Sequence, residues 1–138
     1  MSDASLAARS AALDLLRDVL RKSIPFDDAF DAHPELRGLD PRDRGFVRLL
    51  TATVLRRLGQ IDALIQGSLA KPGLPKATVH DILRLGAAQL VFLGTPAHAA
   101  VDTAVELAAA RGAEPYKGLI NAVLRRIGRE GVELAAQQ

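Results

Sequence analysis

Fourteen of the eighteen basic side chains in this 138-residue sequence are arginine, and they are unevenly spread. Arg42, Arg44, Arg48, Arg56 and Arg57 crowd into residues 41–60 against Asp43 alone, a net charge of +4 in a chain whose total is +2. Residues 1–40 balance this with a net −3. Arginine forks suit phosphate recognition and structural ion pairs equally well. Other chemistry is hard to find. His33, His80 and His98 lie far apart, with neither i,i+4 pairing nor an HExxH run, so no metal site is expected. The absence of cysteine removes disulfides, thiol nucleophiles, thiolate-bound zinc and iron–sulfur clusters together. There is no GxGxxG and no P-loop, and the scattered carboxylates and serines define no acid–base pair or triad. The residues name no catalytic group and no cofactor for this chain.

Helices must position whatever these arginines do. Alanine and leucine, 24 and 22 residues, supply a third of the chain, whereas Val, Ile and Thr total 20 and aromatics 4%. That balance predicts an all-α fold, one globular domain over residues 1–138, with residues 132–138 as a tail or linker. No apolar run approaches 18 residues and no leader pattern opens the chain, so neither a membrane span nor a secretory signal is expected, and the default setting is cytosolic. Apolar spacing predicts a first helix over 5–22 and a short one over 25–32, ended by His33-Pro34. A third opens at the Asp40 cap and Pro41 and buries Phe46, Leu49, Leu50, Thr53 and Val54. Gly59 is expected to bend or break it. The helix over 76–93 is apolar nearly all round and reads as the central one, with Gly86 admitting a close neighbour. A sixth starts near Ala97, turning Ala97, Val101, Ala104, Val105 and Ala108 inward, and stops at Gly112. Pro115 opens the last, which buries Leu119, Ile120, Val123, Leu124 and Ile127 and frays after Gly128 or Gly131.

Several polar side chains fall on these apolar faces. Arg9, Asp43 and Arg57 all point inward, and an unpaired buried charge costs several kcal/mol, so Asp43 is expected to pair with Arg9, Arg57 or both. A ligand role for either arginine is the alternative. Gln89 reads as a buried amide bonded to backbone. Arg44 and Arg48 share the outward face of the third helix, and Arg125, Arg126 and Arg129 end the last one, where cations complement the helix dipole. Both groups read either as solvated faces or as RNA contacts. No aromatic interleaves with them in sequence, so contact to RNA backbone and shape is expected, not base stacking.

Three stretches, "DPRDRGFVRLLTATVLRRLGQID" (40–62), "ILRLGAAQLVFLGTPAHAAVDTAVELA" (82–108) and "GLINAVLRRI" (118–127), resemble the NusB superfamily. With "AARSAALDLLRDVL" they look most like the N-terminal NusB-like domain of the RsmB (Sun/Fmu) family of small-subunit rRNA cytosine-C5 methyltransferases. The resemblance implies an all-α NusB-like bundle of about six to seven helices, an RNA-binding role and a cytoplasmic bacterial setting. It further implies a C-terminal methyltransferase domain, using S-adenosylmethionine, that lies outside these 138 residues. By position it suggests RNA contacts from Arg9, Arg17 and Arg21 on the first helix, and it draws attention to Asn121, whose amide is expected to anchor a neighbouring loop, with an RNA contact as the alternative. The alternative within the superfamily is a stand-alone NusB-type antitermination factor, a protein–RNA adaptor. Such factors carry an Arg-rich start and an acid at the position of Arg125, whereas this chain opens "MSDASLAARSAA". A third reading is a structural module that packs on a catalytic domain and touches no RNA.

Overall fold

The computed structural model describes residues 3–136, and these contain helices and no strand. The α-helices are α1 (Asp3–Arg21), α2 (Phe26–Ala32), α3 (Pro41–Arg56), α4 (Leu58–Gly67), α5 (Ala77–Val91), α6 (Ala97–Ala110) and α7 (Lys117–Ala136). Single 3-10 segments at Pro34–Gly38 and Glu114–Tyr116 lead into α3 and α7. Local chemistry accounts for the ends. Pro41 starts α3 where its missing N–H costs nothing, and the Asp40 carboxylate accepts from the Asp43 backbone N–H at 2.8 Å. Gly112, at φ +76°, turns the chain after α6 in a conformation that an L side chain resists.

The interior is aliphatic. Leu15, Leu16, Leu50, Ile61, Ile65, Ile82, Leu83, Leu107, Ile120, Leu124 and Ile127 are among the fully buried side chains. Helix α5 is the axis of the bundle, packed against α1, α3, α4, α6 and α7. Gly86 explains how closely α7 approaches it: a Cβ there would lie 2.7 Å from both Leu124 methyls.

Four sequence expectations change. α3 is rotated, so Val47 and Thr51 are buried, Phe46 is half-buried and Leu49 is 53% exposed. Its charged flank supplies the reason, since Phe46 and Arg9 cover one another at the α1 side. The α3–α4 break falls at Arg57, where φ is −108° and ψ 20°, two residues before Gly59. Ala97 is exposed at the start of α6, whose buried side is Ala100, Val101, Thr103, Ala104, Leu107 and Ala108. Finally, α7 does not fray at its glycines. Gly131 is a close-packing point, where a Cβ would lie 2.9 Å from Val91, whereas one at exposed Gly128 would make only ordinary contact with Ala97 and Leu90, and the helix continues to Ala136. Residues 132–136 of the expected tail are therefore helical, and 137–138 lie outside the described residues.

Candidate nucleic-acid interface

The arginines of α1 are held by other side chains of the protein, whereas those of α3 and α7 are mostly exposed. Arg9 donates from Nε to Gln89 Oε1 at 2.9 Å and lies 5.0 Å over the Phe46 ring. Gln89 is buried, and its amide nitrogen donates to the Leu85 carbonyl at 3.0 Å. Arg17 reaches Asp18 at 3.1 Å and Asp14 at 3.4 Å. Arg21 pairs with Asp81, which is fully buried on α5. The α1 guanidiniums thus serve the bundle before they can serve RNA.

Asp81 opens a chain of charges that the sequence reading missed. Its second oxygen accepts from Arg84 at 3.0 Å, and Arg84 also grips Asp62 of α4 through Nε and Nη2 at 2.9 and 2.8 Å. His80 Nε2 closes on the same Asp62 at 2.9 Å. A second knot centres on Asp14, which meets Arg111 at 2.6 Å and His33 at 2.9 Å, tying α1 to the end of α6 and the loop after α2. His33 Nε2 also approaches Glu35 at 3.6 Å, a clustering of possible metal ligands that the sequence spacing concealed. Arg111 already supplies the cation that Asp14 needs.

These knots set an acid response. Burial pushes the Asp14 and Asp62 carboxyls up, yet their hydrogen bonds and neighbouring cations outweigh it and hold both below the ordinary carboxylate range. The contributing cations are Arg111 and Arg17 for Asp14, and Arg84 and His80 for Asp62. Burial pulls Arg84 down, but Asp62 and Asp81 raise it overall. A carboxyl depressed in the folded state adds stability that is complete above its unfolded value of about 3.9 and is lost as pH falls through the folded value. Denaturant midpoints are therefore expected to fall steeply below about pH 4, and Asp14→Asn/Asp62→Asn to flatten that fall. Equal acid slopes in parent and variant would refute the assignment.

The expected Arg9–Asp43–Arg57 network takes a different form. Arg57 is exposed and turns away, its guanidinium 5.0 Å over the Phe92 ring. Asp43 is half-buried beside Arg9: burial lowers the Arg9 pKa and the Asp43 charge opposes that lowering. Asn121 does not anchor a loop. It lies one turn from Arg125 within α7, and its Oδ1 accepts from Arg125 Nε at 3.0 Å.

The second group lies on α3 and α7. Arg42, Arg48 and Arg56 are exposed and Arg44 half-buried. Arg48 lies 4.4 Å over Phe30 and 5.4 Å over Phe26, with Asp27 at 3.2 Å. On α7, Arg125, Arg126 and Arg129 are exposed, Arg126 pairing with Glu130 at 3.3 Å. Exposed i,i+4 contacts of this kind are worth only about 0.3–0.5 kcal/mol and yield readily to a phosphate. The sequence showed no aromatic among the basic residues, but tertiary packing brings them together: with Phe46 under Arg9 and Tyr116 under Lys76, all four Phe and the one Tyr lie under cations.

A central apolar helix and arginine-bearing outer faces define an all-helical bundle. Residues 6–129 match the model of the NusB family, and the chain belongs to that family. It is 37% identical over 139 residues to the ribosomal RNA small subunit methyltransferase B of Xanthomonas campestris pv. campestris, covering 96% of this chain and 30% of that protein. The chain thus spans about a third of the length of such relatives. Its fold matches T. maritima NusB with a TM-score of 0.80 at 21% identity, over 100% of this chain and 99% of the other. It also matches a chain in the crystal structure of antitermination factors NusB and NusE in complex with dsRNA, with a TM-score of 0.78 at 23% identity over 94% of this chain and 98% of the other.

Proposed function

We propose that this domain is an RNA-binding accessory module of a small-subunit rRNA cytosine-C5 methyltransferase, docking rRNA for a catalytic domain that follows it. The similarity of nearly the whole chain to a methyltransferase about three times its length carries this reading. Division of labour follows from chemistry. Attack on C6 of cytosine requires a thiolate, and this sequence has no cysteine. The thiol and the S-adenosylmethionine site therefore belong to the catalytic domain, and the purified chain is not a methyltransferase by itself. The setting of such work is the cytoplasm. In this reading Arg44, Arg48, Arg125, Arg126 and Arg129 meet phosphates, whereas Arg9 is fixed on buried Gln89, Arg21 on buried Asp81, and half-exposed Arg17 pairs with Asp14 and Asp18 of its own helix.

Binding to fragments of small-subunit rRNA tests this. Three or four phosphate contacts make log K fall against log salt with a slope of roughly −2 to −3 for single strands. Arg44→Ala and Arg129→Ala should each lower that slope by about 0.7 while changing stability by no more than about 0.5 kcal/mol. Salt-independent affinity, or none at low salt, would favour a structural module that touches no RNA. Methyl transfer by the chain alone would overturn the division of labour.

A further inference from the structure

Between α1 and α3 a surface pocket of about 190 Å3 is lined by Ala8, Arg9, Arg42, Asp43 and Phe46. Its walls combine two flat groups, the Arg9 guanidinium and the Phe46 ring, which lie 5.0 Å apart. Arg9 is not loose there, because its Nε is fixed on buried Gln89, itself held by the Leu85 carbonyl. Unstacked RNA bases are recognised on such aromatic and guanidinium planes and by hydrogen bonds to their exposed edges.

Asp43 supplies the edge chemistry. An ionised carboxylate has two acceptor oxygens and no donor. Its backbone N–H is spent on Asp40, and among the described residues no hydrogen bond or ion pair to its side chain is seen within hydrogen-bonding range. Guanine alone among the four bases offers two adjacent donors, N1–H and the 2-amino group, on its Watson–Crick edge. Cytosine and adenine set an acceptor beside their donor, and uracil flanks N3–H with two carbonyls, so each meets the carboxylate with repulsion. Arg42, exposed at the rim, is placed for the phosphate of the same nucleotide.

We infer that this pocket takes an unpaired guanine of the RNA, its Watson–Crick donors on the Asp43 carboxylate and its ring packed alongside the Arg9–Phe46 pair. The inference deepens the RNA-binding reading above and rests on it. It assigns base selectivity to a domain whose other cations meet only backbone.

Fluorescence anisotropy at low salt tests it with three labelled single strands of about ten nucleotides, a length within the usual single-strand site range. One is uridine throughout, one carries a central guanosine, and one carries inosine, which keeps N1–H but lacks the 2-amino group. The guanosine strand is expected to bind about tenfold tighter than the uridine strand, a paired contact's usual discrimination, and inosine should lose most of that gain. Asp43→Asn, which keeps the backbone cap, should abolish the guanosine preference, and the loss of one negative charge beside Arg9 and Arg42 should tighten all three strands alike. Equal affinities for the three strands, or a preference that survives in Asp43→Asn, would overturn the pocket assignment alone. Failure of every strand to bind would overturn the RNA-binding reading with it. Should Asp43→Asn not fold, the inosine comparison on the parent decides the matter.

Discussion

Arg84→Met is expected to cost about 3–4 kcal/mol, the largest loss from any single polar change in the bundle. The substitution keeps an apolar stem of similar length and removes the fork. Asp81 is fully buried, and its two oxygens are held by Arg21 and Arg84. Without Arg84 one oxygen faces an apolar interior, and breaking a buried pair from one side costs about 3–5 kcal/mol because a charge is left uncompensated. Arg21 remains in place and keeps the loss towards the lower end. The same change frees Asp62 and His80, which lie nearer to water and matter less. Asp43→Ala is the comparison. Asp43 is half-buried and contributes mainly its charge at a helix start and beside Arg9, so it should cost under about 1 kcal/mol. Urea melts of the two variants that give equal losses would contradict this account of where the buried charge sits.

The packing of α5 on α7 gives the second large effect, and one that changes sign. Leu124→Ala removes a fully buried side chain and should cost about 3–5 kcal/mol. Gly86→Ala in the parent gains about 1 kcal/mol of helix propensity, yet places a methyl 2.7 Å from both Leu124 methyls. Leu124 is fully buried, so its methyls give way only by shifting their neighbours, and overpacking costs about 1–3 kcal/mol, so the net change is destabilising by up to about 2 kcal/mol. With Leu124→Ala already present, the new methyl enters the space vacated, and Gly86→Ala should become stabilising by about 1 kcal/mol. A double-mutant cycle reads the difference directly. Additive effects would mean that the two residues do not meet as described.

Much of this was legible in the sequence wherever one helix was enough to argue from. The α3 start followed from Asp40-Pro41, the centrality of α5 from its apolar circumference, and the close approach at Gly86 from a glycine on that circumference. What failed needed two helices at once. Asp43 was credited with a buried pair because its wheel position points inward, but a residue in the first turn of α3 lies at the rim of the bundle. The charge that is buried, Asp81, was visible as an acid in line with Leu85 and Ala88, one and two turns further along the most enclosed helix, and its i,i+3 partner Arg84 strengthened that signal. No spacing could reveal that Arg21, sixty residues upstream, completes it. The aromatic-under-arginine pairs were hidden for the same reason, since Arg57 and Phe92 belong to different helices. Asn121 and the α7 glycines erred in the other direction: a family motif and a helix-breaker rule were applied to residues that the surrounding packing uses otherwise.

The polar links of α1 carry a consequence for synthesis. Arg21, Arg9 and Ser10 take their partners from Asp81, Gln89 and Arg111, which follow by 60, 80 and 101 residues. Translation adds about 5–20 residues per second, so α1 waits roughly 3–20 s after its own synthesis for those partners. During that interval its apolar face has only the nearby α2 and α3 to lie on, and the bundle cannot close around α5 until α6 has emerged. A chaperone that shelters this domain would therefore have most to do at its amino-terminal end, and slower decoding after α3 would prolong the exposure.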